Sequence, residues 1–221
     1  SFTASTAGSF GFENGEEFSA VASETSLLSV SVPLGLQLNT QSQGDLTNAA
    51  FLSVGQGENL YLIGSQVSTS VQLSAPGGTA QVLGNQIELI DRETATPSSR
   101  NSPDDTELIV QATEGFTIPD VSDDELRFLD DSGDIQLVAD ANTDGIGNLR
   151  MVDVQDSLRA SGRDIDISGV NITLGGVDTS SVNLEDEGDI SISTISDDIR
   201  TRDLDSSSDL SSGDIGDGGA I

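Results

Sequence analysis

Gly162-Arg163-Asp164-Ile165-Asp166-Ile167 recurs as Gly188-Asp189-Ile190-Ser191-Ile192, which sets Ile165 and Ile190 25 residues apart. An earlier copy, Gly133-Asp134-Ile135-Gln136-Leu137, stands 30 residues before Ile165. Val177-Asp178-Thr179-Ser180-Ser181 returns as Leu204-Asp205-Ser206-Ser207-Ser208, 27 residues on. A period near 25 is too long for one hairpin strand and too short for an independent domain. It suits one coil of a parallel β-solenoid, whose strands pair with those of the coils above and below. Within each copy aliphatics alternate with small polar residues, and a period of two turns one face inward. Leu28-Ser29-Val30-Ser31-Val32 and Leu34-Gly35-Leu36-Gln37-Leu38 alternate in the same way. Gly, Asn, Asp and Ser punctuate these runs as turn residues. One stretch, Asp120 to Leu129, has loosely helical spacing at Val121, Leu126 and Leu129, with Ser122 as its candidate cap.

Composition agrees with an elongated body. The chain has 221 residues, of which 34% are hydrophobic and 4% aromatic. Few large side chains make a poor spherical core, whereas a narrow interior filled by stacked aliphatics has no need of them. At about 25 residues per coil and ~4.8 Å between coils, the chain would form about nine coils and a rod on the order of 40 Å long. Residues 1–90 and 108–221 read as coil sequence. Between them, residues 91–107 hold no aliphatic and several Pro, Ser and Asp, as expected of an exposed acidic loop. The chain starts without methionine and stops after Gly218-Gly219-Ala220-Ile221 in mid-pattern, so a fragment of a longer rod is expected.

The missing residue types exclude most chemistry. No cysteine, histidine or lysine is present, and all eight basic residues are arginine. Disulfides, thiolate nucleophiles, Ser-His-Asp triads, Schiff bases and P-loop lysines are therefore absent. No catalytic set and no cofactor is indicated. The net charge is −30, with seven acids and no arginine in residues 1–90 and all other charges beyond. A polyanion repels phosphate backbones and anionic lipid, which points away from nucleic acid and from direct lipid binding.

Asp140-Ala141-Asn142-Thr143-Asp144-Gly145 matches the first half of a calcium loop, D-x-N-x-D-G. Oxygens at alternate positions converge on one cation there. The closing acid belongs at position 12, occupied here by Met151, with Asp153 two residues late. Asp140, Asn142 and Asp144 thus read either as calcium ligands or as a polar turn. Gly213-Asp214-Ile215-Gly216-Asp217-Gly218-Gly219 hints at a calcium-binding nonapeptide but occurs once and out of register, so it reads as a Gly-rich turn. In the repeated Gly-Asp-Ile, glycine would supply a positive φ at a corner, and Asp164 and Asp189 would stack as like charges. Asp123-Asp124, Asp130-Asp131 and Asp197-Asp198 offer carboxylate pairs, but neighbours on a strand face opposite ways and make no facing pair for glycoside hydrolysis.

Residues 1–90 carry a further pattern. Gly8-Ser9-Phe10-Gly11-Phe12-Glu13-Asn14-Gly15-Glu16-Glu17-Phe18-Ser19-Ala20 precedes Leu27-Leu28-Ser29-Val30-Ser31-Val32-Pro33-Leu34-Gly35-Leu36. Leu60-Tyr61-Leu62-Ile63-Gly64 and Leu73-Ser74-Ala75-Pro76-Gly77-Gly78 follow. This order resembles the second part of the secretion domain of filamentous haemagglutinin-like exoproteins, cyanobacterial ones above all. There "L-x-L-I-G-G-x-V" precedes "L-x-A-P-G-G-R-I/V-E-L-G". Ser65 replaces the second glycine here, and Thr79-Ala80-Gln81-Val82 lacks the arginine.

The resemblance implies an all-β, right-handed parallel β-helix, with residues 1–90 as the C-terminal part of a secretion domain. It also implies export by an outer-membrane β-barrel transporter in two-partner secretion, and a place outside the cell or at its surface. The expected function is that of a non-enzymatic structural and adhesion module, with a surface glycan or protein receptor as partner. Two alternatives stand beside it: a carbohydrate-active β-helix enzyme, and a calcium-stabilised surface-layer or matrix protein.

Overall fold

A computed structural model describes residues 1–6, 9–12, 17–19, 33–37, 44–91, 105–129, 132–181, 188–194 and 198–207. Among them every regular element is a strand, and most pairings are parallel. Among the described residues no helix is long and apolar enough to cross a membrane.

Three parallel ladders carry the body. The first contains Phe2–Ser5, Leu60–Ile63, the start of Thr79–Ile90, the start of Glu107–Ile118, Ile135–Val138, Ile165–Gly169 and Ile190–Thr194. The second contains Asp45–Asn48, Gln66–Ser70, the ends of those two long strands, Asn148–Met151, Ile172–Thr173 and Ile199–Arg200. The third is interrupted: Leu52–Ser53 pairs Leu73–Ser74, and farther along Glu125–Arg127, Ser157–Arg159, Gly176–Asp178 and Asp203–Asp205 pair in turn. The chain visits first, second and third ladder in that order and then returns to the first. We call one such pass a circuit.

Register follows the sequence repeats. Ile135, Ile165 and Ile190 are direct partners, and Val177 partners Leu204. Alternation then sets burial. Ile165 and Ile167 are buried while Asp166 between them is exposed. Like residues therefore stack in columns: Leu62, Val82, Val110, Leu137 and Ile167 in the first ladder, Val67, Ile87, Phe116, Leu149 and Ile172 in the second. Leu126, Leu158 and Val177 continue the pattern in the third. All belong to one core cluster. Each such aliphatic contributes about 1.5–3 kcal/mol on burial, so the scarcity of aromatics costs the core little.

Several expectations change. Register partners on the first ladder lie 58, 20, 28, 27, 30 and 25 residues apart along the chain, giving seven circuits among the described residues where an even period of 25 suggested nine. The first circuit is long because it includes an antiparallel sheet, in which Ser9–Phe12 pairs with both Glu17–Ser19 and Pro33–Gln37. Leu34-Gly35-Leu36 thus lies in an antiparallel strand, and Leu28 to Val32 lies outside the described residues. The stretch from Asp120 to Leu129 is a turn followed by the strand Glu125–Arg127, with no helix. Asp124 has φ 57, which breaks a helical path, and its carbonyl accepts from Ser157 N in the next circuit. Residues 92–104 of the expected loop lie outside the described residues, but its end belongs to the body. Thr106 is fully buried and accepts from Ala75 N at Oγ1 (3.1 Å), while Glu107 opens a strand.

One side chain ties circuits together. Thr106, Gly133, Arg163 and Gly188 each stand two residues before register partners and so form a column. Arg163 is buried. Its guanidinium passes across Gly133, bonds that residue's carbonyl, and reaches Thr106 O (2.8 Å) and Leu129 O (3.3 Å). Glycine at 133 and 188 serves close approach, not the positive φ expected of it. An added Cβ would lie 2.2 Å from Thr106 O at 133 and 1.8 Å from Arg163 O at 188, and neither position has positive φ.

The register is directly testable in a chain without cysteine. Asp166 and Ser191 are exposed partners. Cα atoms about 4.8 Å apart suit a disulfide. Asp166→Cys with Ser191→Cys should oxidise to an intramolecular disulfide, read as a 2 Da mass loss. Asp166→Cys with Ser193→Cys, displaced by about 6.6 Å along the strand, should stay reduced.

Candidate functional site

An acidic column runs along the entrance to the first ladder. Glu107, Asp134, Asp164 and Asp189 each stand one residue before register partners, so they stack in successive circuits. The expected stacking of Asp164 over Asp189 is present, and the backbone softens it: Asp189 N donates to Asp164 Oδ1 at 2.8 Å. Thr79 extends the column and donates from Oγ1 to Glu107 Oε2 at 3.2 Å. Beside it lies an open cleft of about 370 Å³ lined by Gly77, Gly78, Thr79, Asp105, Glu107, Ser132, Gly133 and Asp134.

Burial, with the neighbouring charges, raises the Asp134 carboxyl above its ordinary value. Burial of the group comes first, then the Asp164 and Glu107 charges; Arg163 opposes them and Asp105 adds to them. The residue as a whole remains exposed, so solvent moderates the repulsion. A raised carboxyl favours the folded state fully below its unfolded value, and that benefit is lost as pH rises through the folded value. Acidification from pH 7 into the ordinary aspartate range should therefore raise this group's contribution to stability, with the gain complete only near the unfolded value. Asp134→Asn should melt about 1–3 °C above wild type at pH 7 and gain less on acidification. A lower melting temperature for this variant at pH 7 would refute the assignment.

The calcium-like loop is a tightly bonded turn. Asp140 is buried, and its Oδ1 and Oδ2 accept from Asp144 N (3.2 Å) and Gly145 N (3.1 Å). Asp144 Oδ1 accepts from Ile146 N, and Asn142 Nδ2 donates to Asp144 Oδ2 at 2.7 Å. Thr143 and Gly145 both take positive φ. Gly147 then closes against Ala139, whose carbonyl oxygen lies 1.6 Å from where a Cβ would stand. Each of the three side chains singled out by the sequence is thus engaged inside its own turn.

Of the carboxylate pairs, Asp123-Asp124 occupies an exposed turn and not a strand. Asp198 pairs with Arg200 at 3.1 Å. Asp130, Asp131, Asp197 and Gly213 to Gly219 lie outside the described residues.

A second acidic group went unseen in the sequence. Asp120, Asp153 and Asp156 each bring one carboxylate oxygen within 4.8 Å of the others. Asp120 lies between the second and third ladders of one circuit, two residues past the strand Glu107–Ile118, and the other two lie at the same corner of the next. Asp156 is fully buried. Its Oδ2 accepts from Val121 N (3.1 Å), and its Oδ1 has no hydrogen-bond partner. Burial raises its carboxyl; the Val121 N–H opposes this, and Asp153, Asp120 and Asp124 add to it. The only local signal was Asp153-Val154-Gln155-Asp156, and nothing in the sequence tied it to Asp120 33 residues earlier.

No protein-family model, curated protein or solved structure matches this chain.

Proposed function

We propose that the chain is a right-handed parallel β-helix serving as a non-enzymatic structural and adhesion module of a secreted surface exoprotein. The observation that carries this reading is the constant order of the three parallel ladders, with like residues stacked circuit on circuit. Such a body presents long regular faces and needs no catalytic centre. The motif order of residues 1–90 adds the export route: passage through an outer-membrane β-barrel transporter, then display outside the cell against a glycan or protein receptor. The acidic column supplies a charged face that repels phosphate and anionic lipid. A reporter fused behind the chain with its native upstream sequence should reach the medium or cell surface only when the barrel partner is co-expressed. Export without that partner would overturn the route.

The acidic cleft favours a second reading, a carbohydrate-active β-helix. Asp134, raised towards protonation, stands beside Glu107 and Asp105, and an acid beside a carboxylate is the apparatus of glycoside hydrolysis. Turnover on a panel of neutral and acidic polysaccharides, abolished by Asp134→Asn, would establish it. Absence of turnover across the panel would remove it.

A further inference from the structure

We propose that Asp120, Asp153 and Asp156 form a calcium site that clamps two successive circuits at the corner between the second and third ladders. The inference is independent of export and adhesion.

The geometry comes first. Three carboxylate oxygens lie within 4.8 Å of one another. Three oxygens that share a Ca²⁺ at about 2.3–2.6 Å can stand at most about 4.0–4.5 Å from one another, against about 3.6 Å around Mg²⁺. The group thus lies within a few tenths of an ångström of a calcium shell and farther from a magnesium one.

The second observation is Asp156 itself. A carboxylate that is fully buried with one oxygen unpartnered is costly, because desolvation favours the uncharged form and no bond compensates. The charges acting on it are acidic: Asp153, Asp120 and Asp124. A hard cation would satisfy the orphan oxygen and offset the mutual repulsion. Asp156 is held from both neighbouring circuits. Gly176 N donates to its carbonyl (2.9 Å) from the following circuit, while Val121 N holds Oδ2 from the preceding one. Asp153 bonds Gln155 N through Oδ1 at 2.8 Å, leaving Oδ2 for the ion. Asp120 and Asp153 still reach water, which provides an entry path and the remaining ligands.

The test is thermal melting of the full chain against Ca²⁺ in about 0.15 M salt, where diffuse attraction to a polyanion is screened, with ⁴⁵Ca equilibrium dialysis for stoichiometry. We expect one saturable site with a midpoint of roughly 10⁻⁴ to 10⁻³ M and a weaker response to Mg²⁺. Asp120→Asn and Asp153→Asn should each shift the midpoint at least tenfold, while Asp123→Asn should not. Asp156→Asn should melt no lower than wild type in chelator and gain nothing from calcium. Should that buried variant fail to fold, the two partly exposed positions still decide. A response that does not saturate, or that survives unchanged in Asp120→Asn and Asp153→Asn, would overturn the site. So would loss in Asp144→Asn with retention in Asp153→Asn, which would move the ion to the 140–145 turn.

Discussion

Replacing Arg163 by methionine should lower the melting temperature by about 6–12 °C. The substitution keeps a long side chain in the column but withdraws every donor. Gly133 O, Thr106 O and Leu129 O then lose a charged partner inside the body. Asp134 O, which Arg163 Nη2 also approaches at 3.4 Å, keeps its bond from Leu108 N and loses little. Withdrawing a charged donor from these buried carbonyls costs about 3 kcal/mol after the apolar gain from methionine, and a chain of this size loses roughly 2–4 °C per kcal/mol. Arg163→Lys should fall between, because one ammonium cannot address carbonyls of three separate segments. Calorimetry of both variants checks this. A methionine variant melting within 2 °C of wild type would show that the guanidinium does not hold the circuits.

Gly133→Ala and Gly188→Ala should be nearly as damaging by a different route. Their new methyl groups would stand 2.2 Å and 1.8 Å from backbone oxygens of the preceding circuit. Backbone cannot swing aside as a flexible side chain can, so the ladder itself must open, at a cost of about 3 kcal/mol. At 133 the methyl also displaces Thr106 O, the acceptor of Arg163 Nη2, so Gly133→Ala combined with Arg163→Met should cost less than the sum of the two. Urea midpoints should fall by about 1 M or more. Gly57→Ala makes the contrast: Gly57 has φ +73 and nothing within 4 Å, so only the left-handed backbone is charged for, at about 1–2 kcal/mol. Equal losses at 57 and 188 would show that contact is not what the column glycines relieve.

The legible parts of the fold were those where one circuit repeats another. Aligning Ile135, Ile165 and Ile190 by eye yields the register found in three dimensions, because stacked positions meet the same neighbours and so select the same residues. Gly162 takes the expected positive φ of 69, whereas Gly133 and Gly188 serve close approach, a difference hidden because Arg163 occupies the glycine position of its own copy. The contrast of arginine between two glycines marks a lane for a side chain, and it becomes visible only once the column is assembled. The turn at Asp124 escaped for a related reason: apolar residues at 121, 126 and 129 fit a helix as well as a corner, and the bond to Ser157 that decides between them is long-range. Asp120, Asp153 and Asp156 meet only through stacking. The calcium motif, by contrast, is plain as a string, and its three side chains bond within their own turn.

The pinch between Ala139 and Gly147 has a practical meaning. Ala139 N donates to Ser168 O (2.8 Å), and Gly147 O accepts from Val170 N (2.7 Å), so the following circuit anchors both sides. Asp140 is buried and Ala141 N donates to Ala112 O (2.9 Å), so residues 142–146 are the part that leaves and rejoins the body, and closing a longer segment across fixed ends costs only about 0.6 kcal/mol per doubling. The corner is a natural grafting port, where a foreign epitope can be displayed while the scaffold beneath keeps its pairing.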